Sequence, residues 1–367
     1  MMSTVRSIAT LARWLGPWAD ATKAPDVAIV DERVESTSIR ASGRASGRAS
    51  GRTAIRVRIY RPHGMAPGTE RAAYLMAHGL HFQGPDDVRM DRFCRILAAA
   101  GHLVIAPFIP SYLALLPRRG AIGELERVFD ERRRWTQKKP VVFSISFGSL
   151  LAFALAAKRG DELDGLVIFG GYADFHETMT FCLTGRVASG RNAKRDPLNQ
   201  PVVLMNLLAD MDPPCADPSA VSHAWRAYVE RTWGRPEMKA PERFRAIAAE
   251  LAPSVPESVR ELFHVGIGTQ PGAEALAMDA LTRFDGAQLD PMPYLQHVRG
   301  RVDLVHGTDD DVIPFEHSHD LAKRLTAADA RVHITGLYGH TGAQTPKLSA
   351  LAEELATMVR VLRVFAR

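Results

Sequence analysis

The chain has 367 residues, 46% hydrophobic and 24% charged, a balance that supports a sizeable core and excludes a disordered or fibrous polymer. Its apolar runs, such as residues 166–169, are far too short to cross a bilayer, which excludes a transmembrane segment. The formal charge of +5 lies wholly in residues 1–70, with 11 Lys/Arg against 6 Asp/Glu, whereas residues 71–367 carry 35 of each, so the body of the chain has no net pull on nucleic acid.

In chain order, Val5, Ile8, Ala12 and Leu15 recur at helical spacing, so residues 1–26 are read as an amphipathic N-terminal helix docking on its own protein. No unbroken apolar stretch of signal-peptide length lies there. Residues 27–172 form the first part of an αβ core. Its β-like runs at 27–39 and 53–60 flank an Ala-Ser-Gly-Arg repeat over 41–52, whose composition cannot build a core and reads as a flexible loop. Short apolar strands at 73–77, 103–106, 141–144 and 166–169 then alternate with helices at 88–100, 123–135 and 148–158. That rhythm predicts a mostly parallel central sheet with helices on both faces. The run Arg132, Arg133 and Arg134 reads as a solvated helix face.

The rhythm stops over residues 173–296, a helical insertion broken by prolines, in which Met205, Met211, Trp225, Trp233 and Met238 are read chiefly as core. Residues 297–367 complete the sheet with strands at 302–305 and 331–334 and a closing helix at 348–365. An insertion this large inside a sheet architecture covers something.

The most informative segment runs from Val141 to Leu150. A buried strand ends and a helix begins with no room for an ordinary loop, which forces the central Ser146 into a strained backbone conformation with its side chain pushed outward. Ser144 and Gly148, two positions to either side, are small, as close strand–helix packing requires. A serine hydroxyl needs a base to take its proton and an acid to hold that base. Two predicted strand ends offer them downstream, an aspartate near 310 and His340, at the same edge of a parallel sheet. Upstream, His78-Gly79-Leu80-His81 follows the first core strand. The backbone N–H groups of Leu80 and Phe147 would there form an oxyanion pocket. His81 is a candidate substrate contact, and His78 a structural hydrogen-bonder.

Cys94, Cys182 and Cys215 are odd in number and widely spaced, which argues against a disulfide framework or a cysteine zinc site and suits a reducing, cytoplasmic compartment. His317 and His319, beside Glu316 and three aspartates, are read as an Asp-capped helix start with exposed histidines rather than a metal site. No metal or organic cofactor is expected.

Strand, His78-Gly79, strand, Ser144-x-Ser146-x-Gly148, insertion, His306-Gly307-x-x-Asp310-x-x-x-Pro314, strand, Gly339-His340: in that order the chain resembles the α/β-hydrolase superfamily, over roughly residues 53–172 and 297–367. The resemblance implies an α/β-hydrolase fold with 173–296 as its cap, Ser146 as nucleophile, Asp310 as acid and His340 as base. Serine at 144 replaces the family's first elbow glycine. A serine rather than an aspartate at 146 sets the chain apart from dehalogenases and epoxide hydrolases. The expected function is cleavage of a small-molecule carboxylic ester through an acyl-enzyme. Thioester hydrolysis, acyl transfer and peptide cleavage use the same machinery, and a noncatalytic ligand- or partner-binding protein is the reading from another class.

Overall fold

The computed structural model describes residues 4–16, 18–35, 54–336, 338–339, 342–343 and 351–366. The repeat at 41–52 and His340 lie outside the described residues. Eight strands form one sheet: β1 (Ala28–Val34), β2 (Ile55–Arg61), β3 (Ala73–Ala77), β4 (Leu103–Pro107), β5 (Pro140–Ile145), β6 (Gly165–Phe169), β7 (Gly300–Gly307) and β8 (Ala328–Thr335). Their order is β1-β2-β4-β3-β5-β6-β7-β8. The six strands from β4 to β8 in that order run parallel, and β1 and β2 add an antiparallel edge.

The parallel strands are continuously apolar because both their faces are covered. Ala73, Leu75, Ala77, Val142 and Ile168 enter one buried cluster, and Tyr74, Met76, Val141, Phe143 and Val167 enter the other. Helices α1 (Thr4–Leu15), α2 (Val88–Ala99) and the closing α14 (Leu351–Phe365) pack together beneath the second face. Helices α3 (Pro110–Leu113), α4 (Gly120–Asp130) and α5 (Gly148–Arg159) belong to the first. In β2 the alternation has a different cause. Ile55, Val57 and Ile59 are buried, while Arg56 and Arg58 turn outward to the carboxylates of Asp31 and Asp86.

Between β6 and β7 the chain is helical: α6 (Phe175–Thr184), α7 (Gln200–Leu207), α8 (Pro218–Thr232), α9 (Pro241–Leu251), α10 (Glu257–Gly266), α11 (Ala273–Arg283) and α12 (Met292–Leu295), joined by 3₁₀ turns. Its buried residues, among them Trp225, Tyr228 and Phe263, are continuous with the first sheet cluster rather than forming a separate core. Trp225, Met205 and Met211 are buried, whereas Trp233 and Met238 are only partly so. Helix α13 (Glu316–Arg324) lies between β7 and β8. Among the described residues no helix is long and apolar enough to cross a membrane.

Three local expectations are corrected. Helix α1 docks through buried Ser7 and Leu11 with Ile8, Ala12 and Leu15 packed partly against the same cluster, and of the expected stripe Val5 alone is left out, at 77% exposed. The helix expected at 123–135 starts at Gly120 and ends at Asp130, then tightens into a 3₁₀ turn, Glu131–Arg134. Arg132 in that turn is buried, its guanidinium 3.9 Å from the Phe129 ring centroid and paired with Glu162, so of the arginine run only Arg133 and Arg134 are exposed.

Candidate active site

The carboxyl ends of the parallel strands share one rim, and β3 and β5 meet there with Ala77 beside Ser144. Ser146, one residue beyond β5, has φ 55°, one of two positive-φ residues other than glycine among the described residues. Such a conformation costs about 1–3 kcal/mol in a non-glycine residue, so the surroundings must impose it. They do so from three sides. The Ser146 N–H donates to the Phe169 carbonyl across the sheet at 2.9 Å. Tyr112 Oη donates to the Phe147 carbonyl at 2.9 Å from a fully buried position. At Gly148 a Cβ would overlap the Ala77 carbonyl oxygen, so only glycine lets α5 start this close to β3. Ser144 lies inside β5 and is fully buried. The amino end of α5 carries no acidic side chain in its first turn, leaving its positive dipole end directed at the turn.

Leu80 and Phe147 flank this serine. A Cβ built on Gly79 would stand 3.1 Å from Ser146 Cβ and 3.7 Å from Ser146 Oγ, so the Gly79–Leu80 peptide lies against the serine side chain. Neither the Leu80 nor the Phe147 N–H donates to any acceptor among the described residues. His78 braces the same loop. Its Nδ1 donates to the Gly79 carbonyl at 2.7 Å and its Nε2 accepts the Ile109 N–H at 3.1 Å, and burial pulls its pKa down to about 4. Tyr112 is a bracing group without a sequence signal, since it lies on a four-residue helix without periodicity.

Asp310 follows β7 and is buried, while Asp309 is exposed and Asp311 half-buried. Asp310 Oδ1 accepts the N–H groups of Val312 and Ile313 at 2.9 and 2.8 Å, and Oδ2 lies 3.4 Å from His306 Nε2. His306 Nε2 donates to the Ile313 carbonyl at 2.8 Å, so its Nδ1 accepts a hydrogen bond from the Ser318 hydroxyl at 2.7 Å. The end of β8 adjoins this loop, with Thr308 N–H donating to the Thr335 carbonyl at 3.0 Å. His340, five residues further on, lies outside the described residues.

The helical stretch grips the Asp310 loop from above. Asp196 N–H donates to the Asp311 carbonyl at 2.8 Å, and Lys239 Nζ pairs with Asp196 at 3.0 Å and with Asp311. Burial pulls the Lys239 ammonium down, but those two carboxylates together more than reverse it, so it stays charged. Cys182 Sγ approaches the Val312 carbonyl at 3.3 Å, and Arg191 pairs with Glu316 at 2.7 Å. The loop aspartates do not cap α13, whose N-cap is Phe315. Nor is His317 exposed: it is buried and its Nδ1 accepts the Ala173 N–H at 3.1 Å, while His319 faces solvent. No cluster of three or more His, Cys, Asp or Glu fit to hold a metal occurs among the described residues.

Ser146 opens into a cavity of about 1030 Å³. Its wall includes Leu80, His81 and Phe147 from the core and Phe175, Leu198 and Trp233 from the helical stretch. Burial pulls His81 down to about 4 despite the Asp87 carboxylate nearby, so the ring is neutral at pH 7.

No protein-family model matches the chain, and no curated protein is similar to it in sequence. Solved structures do resemble it. A Staphylococcus aureus protein of unknown function aligns with 12% identity over 92% of this chain and 100% of its own, at a TM-score of 0.50. The 2-hydroxy-6-oxo-6-phenylhexa-2,4-dienoate hydrolase of a Rhodococcus strain aligns at 16% identity, over 93% and 99%, with TM-score 0.48. The acylaminoacyl peptidase of Pyrococcus horikoshii aligns at 10% identity and TM-score 0.48, over 94% of this chain but 41% of its own, so the chain spans about two fifths of that peptidase. At such identities the likeness concerns the fold. The sheet order and the strand–Ser146–helix turn are those of the α/β-hydrolase fold, and that is the fold of this chain.

Proposed function

We propose that this chain is a serine hydrolase that cleaves a carboxylic ester of a small molecule through an acyl-enzyme, with residues 173–296 as a cap over the site. The observation that carries the reading is the positive φ of Ser146 on the wall of the cavity, beside two N–H groups without acceptors. Strain of this kind is kept only where surrounding packing enforces it, and here it presents an oxygen rather than a backbone turn.

In the proposed reaction His340 takes the proton from Ser146 Oγ as Oγ bonds to the substrate carbonyl carbon. The Leu80 and Phe147 N–H groups, with the amino end of α5, hold the resulting oxyanion. The intermediate collapses by breaking the bond to the alcohol oxygen, which receives the proton from His340. Water then repeats the sequence to release the acid and free Ser146. Asp310, its Oδ1 committed to two backbone N–H groups, offers Oδ2 to orient the base.

The test is covalent labelling by a fluorophosphonate, followed by peptide mass mapping and turnover of short 4-nitrophenyl esters. Labelling and hydrolysis are expected to vanish in Ser146→Ala and to persist in Ser144→Ala. Labelling that survives Ser146→Ala, or no labelling of the folded unsubstituted protein, overturns the proposal. Activity is expected to rise through one ionisation near pH ~6.5 as the base loses its proton.

A further inference from the structure

Among the described residues two other than glycine have positive φ. One is Ser146. The other is Leu115, at 62°, fully buried and just past the end of α3. A branched side chain takes that conformation only under constraint. Here it closes a helix end: Leu115 N–H donates to the Tyr112 carbonyl at 3.1 Å and Leu116 N–H to the Ser111 carbonyl at 3.0 Å, a pattern that glycine ordinarily completes. The constraint comes from the helical stretch. Asn206 on α7 gives one amide hydrogen to the Val202 carbonyl of its own helix at 2.8 Å and the other to the Leu115 carbonyl at 3.0 Å. Arg226 on α8 donates through Nη1 to the Leu113 carbonyl at 3.0 Å, while Glu230 holds its Nε at 2.8 Å.

On its other side the same segment reaches the loop that carries Leu80. Ile109 N–H donates to His78 Nε2 at 3.1 Å, and His78 Nδ1 donates to the Gly79 carbonyl at 2.7 Å. Burial keeps that ring neutral, as the use of one nitrogen as donor and the other as acceptor requires. The Tyr112 and His78 rings meet edge to face at 6.0 Å. A Cβ built on Gly84 would stand 2.6 Å from Leu113 Cδ2 and 3.4 Å from the His78 ring, so α3 packs closely on this loop. The Gly79 carbonyl and the Leu80 N–H belong to one planar peptide, so whatever turns the first turns the second.

We propose that Asn206 and Arg226 are positioning residues that set the direction of the Leu80 N–H, acting through residues 109–115 as a strut and through His78. The proposal rests on the hydrolase reading above and adds a means of regulating that site. Val202, Val203 and Asn206 of α7 are on the cavity wall, so a substrate lying there bears on the strut that aims an oxyanion donor. Tyr112 Oη, donating to the Phe147 carbonyl, is the pivot of the strut. The serine turn itself is not on the route, because the Ser146 N–H and the close approach at Gly148 hold it to the sheet independently.

The test is kinetic, on the full-length chain, with 4-nitrophenyl butyrate as substrate and hexyl trifluoromethyl ketone as inhibitor. Ser146 Oγ adds to the ketone carbon, its proton passes to His340, and the carbonyl oxygen becomes an oxyanion that needs the same donors, so the inhibitor reports the pocket without any leaving group. In Asn206→Leu, kcat is expected to fall about 10-fold with KM changed by less than about twofold, and the ketone to bind about 10-fold more weakly. Arg226→Met should act in the same direction, and Arg226→Lys should recover most of the loss. In a His78→Phe background, Asn206→Leu should change kcat by less than about twofold, since the route is already cut. His78→Asn and Asn206→Ala stand in for variants that do not melt cooperatively. As a control, Val259→Ala removes buried bulk from α10 rather than α7 or α8, and should lower the thermal midpoint while leaving kcat unchanged. The proposal is overturned if Asn206→Leu and Arg226→Met both keep kcat within about twofold, or if ketone affinity does not follow kcat. Equal losses from Asn206→Leu with and without His78, or an equal loss in Val259→Ala, overturn it too. Failure of the hydrolase reading shows separately, as absence of fluorophosphonate labelling in the unsubstituted protein, and takes this proposal with it.

Discussion

The turn around Ser146 and the loop around Asp310 occupy the same rim but are held by different means. The first is fixed by the core's own backbone: a carbonyl on β6, the tight approach of α5 to β3, and one buried tyrosine hydroxyl from α3. The second is fixed from outside the sheet, by Lys239, Asp196, Cys182 and Arg191 of the helical stretch. The serine's position is therefore a property of the sheet and the helix behind it, whereas the Asp310 loop, braced inside by the Val312 and Ile313 N–H groups and His306, is also held by residues of the helical stretch. Changes in the helical stretch should alter the second without disturbing the first.

The sharpest way to break this contrast is Gly148→Ala. The added methyl has backbone rather than a flexible side chain in its way, so a loss of about 3 kcal/mol of global stability is expected, read by denaturant melts. A fully stable Gly148→Ala protein would mean that the turn is not set by close packing. Next is Lys239→Met, which leaves Asp196 and Asp311 facing each other, with side chains only 7% and 14% exposed. An uncompensated pair in that setting costs about 2–3 kcal/mol locally. On the proposed mechanism kcat for a 4-nitrophenyl ester should fall about 10-fold with little change in KM, and Lys239→Arg should restore most of it. An unchanged kcat would separate the latch from the reaction.

The third prediction concerns pH. His78 braces the serine side and His317 the aspartate side, and burial pulls both from 6.5 to about 4. Between pH 6.5 and 4 the unfolded chain takes up protons that the native state refuses, so stability present above pH 6.5 drains away as pH falls toward 4. Thermal midpoints should be flat above pH 7 and decline through that window, less steeply in His317→Gln. Midpoints independent of pH across it would mean that these rings are not held neutral. The smallest effect belongs to Arg191→Ala. That pair is 43% and 26% exposed, so about 0.5 kcal/mol or less and a midpoint shift of about 1–2 °C are expected.

Much of the sheet was legible because burial on both faces leaves unbroken apolar runs. The strand read at 73–77 matches β3 residue for residue, and those at 103–106, 141–144 and 166–169 each fall inside an observed strand. What was missed has local causes. The helix expected from 123 begins three residues earlier, at Gly120, and a Cβ at Gly120 or Gly123 would meet nothing, so these glycines cost α4 propensity but no packing. Arg132 read as solvated because no sequence pattern reveals a guanidinium lying over Phe129. At the site, the strained serine was visible from small residues around a strand–helix junction. The grip on the acid loop was not, since Lys239 and Asp311 are 72 positions apart and their attraction leaves no periodic trace.

Cys182 bears on how often that grip lets go. Its sulfur is sealed against the Val312 carbonyl, and burial pushes the thiol up to about 12, so an alkylating reagent at neutral pH reaches it only when the joint between the helical stretch and the Asp310 loop parts. Its modification rate is thus a clock for the opening of that joint, timed by a reporter the molecule already carries.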